Sequence, residues 1–241
     1  TVKLYSIYYV YDEFNQLVYN VTVQNDASPA FSDFTDNENL SDLNFKGLVE
    51  AIHYDSHGRV VAKHACDKDW EYFAYNALDK VVLSQNSKLR ANNEWLISKY
   101  DGLGRVVETG TSDLGGKSQS QVQESLNQDV VSYVKRTNAV ANGYSDSDTY
   151  PFVIDNLLTI NYFDKYGFQN STLAGRDYVQ VNSDDPQTYS KFTIGKPTGS
   201  LVKVLNSGEM LATVNYYDDF GRPIEQHTQN FIDFPNSWDI S

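Results

Sequence analysis

Apolar and polar positions alternate along much of the chain. Tyr5, Ile7, Tyr9 and Tyr11 fall on one face of an extended segment, and Leu17, Tyr19, Val21 and Val23 on one face of the next. Period-two alternation of this kind predicts half-buried strands. The stretch joining them, Tyr11-Asp12-Glu13-Phe14-Asn15-Gln16-Leu17-Val18, returns in outline at five other places. These are Tyr54-Asp55-Ser56-His57-Gly58-Arg59-Val60-Val61, Tyr75-Asn76-Ala77-Leu78-Asp79-Lys80-Val81-Val82, Tyr100-Asp101-Gly102-Leu103-Gly104-Arg105-Val106-Val107, Phe163-Asp164-Lys165-Tyr166-Gly167-Phe168 and Tyr217-Asp218-Asp219-Phe220-Gly221-Arg222-Pro223-Ile224. In each, an aromatic ends an incoming strand, Asp or Asn opens a turn, Gly or a polar residue that tolerates positive φ closes it, and apolar residues begin the return. The repeat therefore predicts a series of antiparallel hairpins.

The intervals fit that reading. Trp70, Tyr72 and Ala74 alternate ahead of the third copy, Val81 and Leu83 follow it, and Trp95 and Ile97 lead into the fourth, with Asn86 to Asn93 as a polar crossing. After Gly115-Gly116, with Ser118 or Ser120 as an N-cap, Val122, Leu126, Val130, Tyr133 and Val134 recur at helical spacing and predict one amphipathic helix over 119–136. Asn138 to Pro151 reads as irregular, residues 24–46 and 174–200 as excursions, and Lys196-Pro197-Thr198-Gly199-Ser200 as a turn. Val202, Val204 and Leu211, Thr213 flank a hairpin turn at Asn206-Ser207-Gly208-Glu209. Pro223 cannot donate to a ladder, which places it at an edge or a bulge. The expected fold is all-β: repeated hairpins forming a curved strip or part of a shell, with hairpin repeats over 1–110, a helical and irregular insertion over 111–151 and further repeats over 152–241.

Composition sharpens this. Aromatic residues make up 14% of the chain, including 18 Tyr, which suits a pleated, half-buried surface better than a helix. The formal charge of −13, without an offsetting Lys/Arg cluster, argues against nucleic acid and anionic lipid as partners. No run of 18 apolar residues predicts a membrane span. The lone Cys66 forms no internal disulfide, so redox compartment stays open. Thr1-Val2-Lys3-Leu4 lacks a signal-peptide layout, as a mature or excised segment would.

Candidate chemistry is sparse. Asp26, Asp33, Asp36, Glu38 and Asp42 lack the ligand spacing and turn Gly of an EF-hand loop. His53 and His57 are separated by a turn and do not converge on a metal, whereas His64 and Cys66 share a strand face and read as a surface His beside a buried free Cys. His227 has no evident partner. Gly102-Leu103-Gly104 precedes no helix and is no phosphate loop, there is no nucleophile elbow, and Asp184-Asp185 and Asp218-Asp219 read as solvated pairs. The expectation is no enzyme, no metal and no cofactor. The repeat residues have structural roles instead: tyrosines stack on neighbouring hairpins, and Arg59, Arg105 and Arg222 pair with the Asp of their own or an adjacent unit, or stack on its Tyr.

The six copies resemble YD repeats, the units of Rhs proteins and of the related teneurin and insecticidal toxin-complex shells. Segments such as "HYDSHGRVVAKHACDKDWEYFAYNALDKVVLSQN", "EWLISKYDGLGRVVETG", "TINYFDKYGF" and "TVNYYDDFGRPIEQ" are most similar to Rhs-like surface proteins of Bacteroidota. The resemblance implies hairpins joined side by side into a strip that spirals into a hollow shell, in several members around a toxic C-terminal domain. Asp185-Pro186-Gln187-Thr188 does not match the Asp-Pro cleavage signature of polymorphic toxins, and no toxin domain is seen, so the chain reads as a fragment upstream of the core with no cleavage activity.

The functional expectation is a structural shell or stalk segment of a large secreted or cell-surface Rhs-like protein, encapsulating or presenting a C-terminal effector. Its partners would be neighbouring repeats or domains of the same protein, or a secretion-system or surface protein. The alternative is a carbohydrate-binding or adhesive module using exposed Tyr and Trp, with Trp70 and Trp95 as candidates. As a test of the hairpin reading, Gly104→Val is expected to lower the midpoint of urea unfolding, since a β-branched residue resists positive φ. An unchanged midpoint would refute the turn assignment.

Overall fold

The structure, a computed structural model, describes residues 5–24, 38, 47–170, 172–181, 183–184, 186–230 and 237–241. The acidic stretch 24–46, apart from Gln24 and Glu38, lies outside the described residues, as do the first four residues and Asp185. The fold is all-β and antiparallel. Among the described residues thirteen strands follow chain order in the sheet, each beside its sequence neighbour. They are β1 (Tyr5–Tyr11), β2 (Leu17–Gln24), β3 (Val49–Tyr54), β4 (Val60–His64), β5 (Glu71–Tyr75), β6 (Val81–Gln85), β7 (Glu94–Tyr100), β8 (Val106–Asp113), β9 (Asn156–Asp164), β10 (Thr193–Lys203), β11 (Met210–Tyr217), β12 (Pro223–Gln229) and β13 (Trp238–Ile240).

The chain forms two compact units, residues 1–95 with 113–127, and residues 96–112 with 128–241. In the first, Val21, Val49, Ala51, Ala62 and Trp70 make a buried cluster on one sheet face. In the second, Val107, Ile160, Leu201, Ala212 and Val214 from the strands pack with Val134, Tyr144 and Leu173 from the connections, around Tyr162 and Tyr216. This second core is built from phenol rings. Tyr166 stacks on Tyr216 at 5.3 Å, Tyr144 on Tyr162 at 5.7 Å, and Tyr189 meets Tyr216 edge-on at 4.8 Å. Their hydroxyls donate to backbone carbonyls: Tyr144 to Asn161, Tyr162 to Asn142 and Tyr166 to Asn215. Buried phenols need such partners, and burial raises the pKa of Tyr144, Tyr162, Tyr166 and Tyr216 well above the ordinary tyrosine value.

Three local expectations are corrected. The helix predicted over 119–136 spans only α2 (Gln119–Asn127). Ser118 Oγ caps it by accepting from the Gln121 N–H, while Gln121 Oε1 accepts from the Ser118 N–H. Its Val122 and Leu126 are buried, but Val130 is 95% exposed and Val134 enters the phenol-rich core of the second unit. The apolar positions thus share a helical spacing yet fall in two different units. Asp129 holds the exit by accepting from Tyr150 N–H, and Val134 N–H bonds Tyr100 O. The polar crossing at 86–93 holds a short helix, α1 (Ser87–Ala91), capped by Asn86, which accepts from Leu89 N–H.

Lys196–Ser200, expected as a turn, lies inside β10. The pairing with β9 slips there: Thr193 faces Asp164, Pro197 faces Phe163 and Gly199 faces Tyr162. The bulge removes the need for a donor at Pro197. Pro223 begins β12 opposite Tyr217, where the β11–β12 register also shifts.

Gly110 is forced by packing, because an added Cβ would come within 2.2 Å of Ile154 Cγ2 and 2.6 Å of Asn156 O. Gly110→Ala is expected to cost about 1–3 kcal/mol as overpacking. Urea unfolding of the variant measures it.

Candidate functional site

The turns of the repeat share one geometry. In the second copy, the Asp55 carboxylate accepts from His57 N–H at 2.9 Å and Arg59 N–H at 3.0 Å. Asp55 N–H bonds Arg59 O, and Gly58 N–H bonds Asp55 O. The same four bonds recur around Asp12, Asn76, Asp101 and Asp218. The residue closing each turn has positive φ: Asn15 at 61°, Gly58 at 74°, Asp79 at 56°, Gly104 at 76° and Gly221 at 75°. In four copies the aromatic before the Asp or Asn sits at a register shift, with Tyr11 opposite Leu17, Tyr54 opposite Val60, Tyr75 opposite Val81 and Tyr217 opposite Pro223. A short carboxylate or amide fits inside this loop, and a one-residue bulge adds local twist at its base.

The fifth copy departs from the plan. Asp164 itself has φ 68°, and its carboxylate accepts from Gly195 N–H at 2.7 Å. The chain leaves the sheet after Asp164, passes through Tyr166, Gly167 (φ 83°) and Phe168, and returns only at Thr193. Tyr166 and Phe168 enter the phenol core of the second unit in place of a hairpin.

Links run from one hairpin to the next within each unit. Tyr54 Oη donates to Leu17 O at 3.0 Å and Tyr75 Oη to Val60 O at 2.7 Å. Both carbonyls occupy the same place, just past the preceding turn. In the second unit Asn161 Nδ2 donates to Val106 O, the matching position, ahead of a Phe that has no hydroxyl. Tyr217 Oη reaches Pro197 O.

Arginine makes the second link. Arg59 Nε donates to its own Asp55 at 2.8 Å, Nη1 donates to Asp79 of the next turn at 2.8 Å, and the guanidinium lies 4.7 Å over Tyr75. Arg105 does the same more tightly. Its Nε bonds Asp101 at 2.7 Å, its two Nη atoms grip both oxygens of Asp164 at 2.9 and 2.5 Å, and it lies 4.3 Å over Phe163. The Arg105 pair is the stronger, because Asp79 is 73% exposed whereas Asp164 is 33% exposed and held by both oxygens. Arg222 bonds Asp218 at 2.6 Å, but its side chain is 72% exposed.

These bonds shift titration. Arg105 holds the Asp164 carboxyl below its ordinary value, with Gly195 N–H adding to the effect. For Asp55, burial pushes upward, but the backbone N–H and guanidinium of Arg59 outweigh it and leave it lowered. Asp218 is lowered in the same way by Arg222.

Other polar side chains act as braces. Gln123 of α2 accepts from Tyr75 N–H and donates to Tyr75 O, both at 2.8 Å, while Gln119 donates to Phe73 O. Their four-residue spacing on the predicted helix is visible in the sequence, but the strand they brace, 46 and 48 residues away along the chain, is not. Glu225, buried, accepts from Val179 and Val181 N–H and pairs with His227 at 2.5 Å, so His227 does have a partner. His64, read as a surface residue, is 2% exposed and bonds Val49 O, while Cys66 is half-buried. His53 pairs with Glu38 at 2.9 Å. Among the described residues no group of three or more His, Cys, Asp and Glu is placed to hold a metal, and no helix is long and apolar enough to cross a membrane. Trp70 and Trp95, the candidate sugar platforms, are 8% and 0% exposed, which removes them from that role.

No family model matches the chain. No curated protein matches it. Among solved structures, the crystal structure of TcdB2-TccC3-TEV is similar over 95% of this chain and 11% of its own, at 12% identity and a TM-score of 0.29. This chain therefore spans a small part of that protein's length.

Two outcomes follow from the links. Arg105→Ala is expected to cost about 1–2 kcal/mol, the value of charged hydrogen bonds discounted for partial exposure, and Tyr75→Phe about 1 kcal/mol for an unsatisfied Val60 carbonyl. Both are read from urea unfolding midpoints. Because Asp55 and Asp164 have lowered pKa values when folded, their contribution is full above the unfolded value of about 3.9 and is lost as pH falls through the folded value. Acid unfolding of Arg105→Ala is therefore expected to show a weaker loss of stability below about pH 4 than the parent chain.

Proposed function

We propose that the chain is a structural segment of a large YD-repeat protein of the Rhs type, contributing hairpins to a shell or stalk that is exported or carried at the cell surface. The observation that supports this best is the repeated link from turn to turn, in which one unit's arginine grips its own Asp and the next unit's carboxylate and ring. The recurring side chains of the repeat thereby serve to join hairpins. Its partners in this reading are neighbouring repeats or domains of the same protein, or a surface or secretion component. The reading needs neither metal nor cofactor and no catalytic group.

Exposed apolar side chains support a surface that is covered in the assembled protein. Tyr5, Ile7, Tyr9 and Tyr11 on one face of β1 are 53–57% exposed, Phe14 and Leu103 at turn tips 73%, and Phe192, Ile194 and Phe220 82–85%. The β1 tyrosines also keep a carbohydrate-binding reading open, since they are the exposed rings that Trp70 and Trp95 are not. A glycan array with Tyr9→Ala separates that reading, which requires binding that the variant loses.

For the structural reading, the 241-residue chain on its own is expected to bind an apolar-surface dye and to self-associate in sedimentation. A monomer that melts cooperatively and binds no dye would overturn it.

A further inference from the structure

Within the second unit, the fold gathers cations that are scattered along the sequence. Lys135, Arg136 and Lys165 line a cavity of about 420 Å3 together with Arg105 and its two carboxylates, Asp101 and Asp164. Both carboxylates are held by Arg105. The wall thus carries four cations against two carboxylates, an excess of two positive charges in a chain of net charge −13. Lys135 and Lys165 are exposed, and among the described residues neither they nor Arg136 forms an ion pair. Leu103 and the Tyr133 ring add apolar surface to the same wall.

Arg136 is the member that the fold leaves half used. Its Nη1 donates to Phe163 O at 3.0 Å and to Lys165 O at 2.7 Å, and its guanidinium lies 4.9 Å from the Tyr162 ring and 5.4 Å from that of Phe168. Nη2 is buried with no hydrogen-bond partner. Nε, on the same edge of the guanidinium, makes no hydrogen bond among the described residues either. In Arg59 and Arg105 that edge holds an acid: Nε and Nη2 meet one oxygen of Asp55 at 2.8 and 2.7 Å, and one oxygen of Asp101 at 2.7 and 2.6 Å. A buried charged donor without an acceptor is costly and calls for a partner. Burial lowers the pKa of Arg136 despite the attraction of Asp164, so no protein carboxylate supplies that partner in full.

We propose that this cavity binds a small ligand through a carboxylate, which accepts from the Nε and Nη2 of Arg136 while Lys135 and Lys165 add attraction from the wall. Three observations select a carboxylate. The side-on edge of a guanidinium matches a planar pair of oxygens, and the same edge already serves that purpose twice in this chain. Asp101 and Asp164 stand on the same wall and oppose a ligand of higher negative charge. Nη1 is committed to two carbonyls, so the guanidinium is held in place beforehand, and binding neither breaks a protein bond nor orders the side chain. The cavity exceeds the carboxylate itself and leaves room for a body of amino-acid or monosaccharide size, so the group belongs to a sugar acid or to an acidic side chain. The inference stands independently of the structural reading above.

The test takes the full 241-residue chain with isotope-labelled arginine side chains and follows the Arg136 Nε–H resonance. Sodium glucuronate and N-acetyl-glutamate N-methylamide are titrated in turn. Glucose, N-acetyl-glutamine N-methylamide and sodium sulfate at matched ionic strength are the controls. The expected result is a saturable shift with at least one carboxylate and none with its neutral counterpart. Saturation by glucuronate alone supports a sugar acid as the source, and saturation by the glutamate amide alone supports an acidic side chain. Lys165→Gln, a change at an exposed position, is expected to weaken binding about two- to fivefold. Arg136→Lys, followed by calorimetry, is expected to weaken it about tenfold or more, because an ammonium lacks the two-donor edge. Should Arg136→Lys fail to fold, the wild-type titration and Lys165→Gln still decide the matter. No saturable shift with either carboxylate overturns the proposal, as does a shift matched by the neutral counterpart or by sulfate. Binding that is unchanged in Lys165→Gln and in folded Arg136→Lys overturns it equally.

Discussion

Five of the repeat's turns depend on one constraint, the need to satisfy inward-pointing backbone N–H groups in a loop too tight to offer each of them a backbone carbonyl. Asp12, Asp55, Asn76, Asp101 and Asp218 meet it with a single side-chain oxygen that accepts two of them. A longer side chain would overreach and an apolar one would leave both donors unpaired. The turn also needs positive φ at its fourth residue, which restricts that position to Gly, Asn or Asp. The bonds of each of these five turns lie within five residues of sequence, so the turn is specified locally.

The remaining oxygen and the flanking aromatic then connect the turns. In Asp55 and Asp101 the second carboxylate oxygen holds Nε and Nη2 of an arginine and so aims its Nη1 at the next unit. The tyrosine hydroxyl reaches back to the carbonyl just past the preceding turn. One link therefore points forward and the other backward, and both fix the same strand register. A one-residue slip would break both at once, which is a stronger specification than apolar alternation alone gives.

Where the chain departs from the plan, the second unit gains a core. After Asp164 the backbone leaves the sheet and carries Tyr166, Phe168, Leu173, Tyr178 and Tyr189 onto Tyr162 and Tyr216. Buried polar groups hold this layer in place. Glu225 fixes Val179 and Val181 while paired to His227, and Arg136 donates to the carbonyls of Phe163 and Lys165 between the rings of Tyr162 and Phe168. Burial lowers the pKa of Arg136, so the carbonyls and ring faces have to offset that cost.

The sequence by itself determined the all-β class and the repeated turn, because alternation and the Asp, Gly and aromatic positions act through neighbouring residues. Only the tertiary structure decided which positions share a core. Val122, Leu126, Val130 and Val134 have one helical period, yet they divide between two units, and the helix stops at Asn127. Lys196–Ser200 has turn composition, but pairing with β9 absorbs it as a bulged strand. His64, Trp70 and Trp95 gave no local sign of burial, since alternation marks a face without saying what covers it. The sequence put each arginine's second acceptor in its own or an adjacent unit without deciding which group it is: Asp79 and Asp164 lie 20 and 59 residues away along the chain from Arg59 and Arg105, and only strand register brings them within bonding distance.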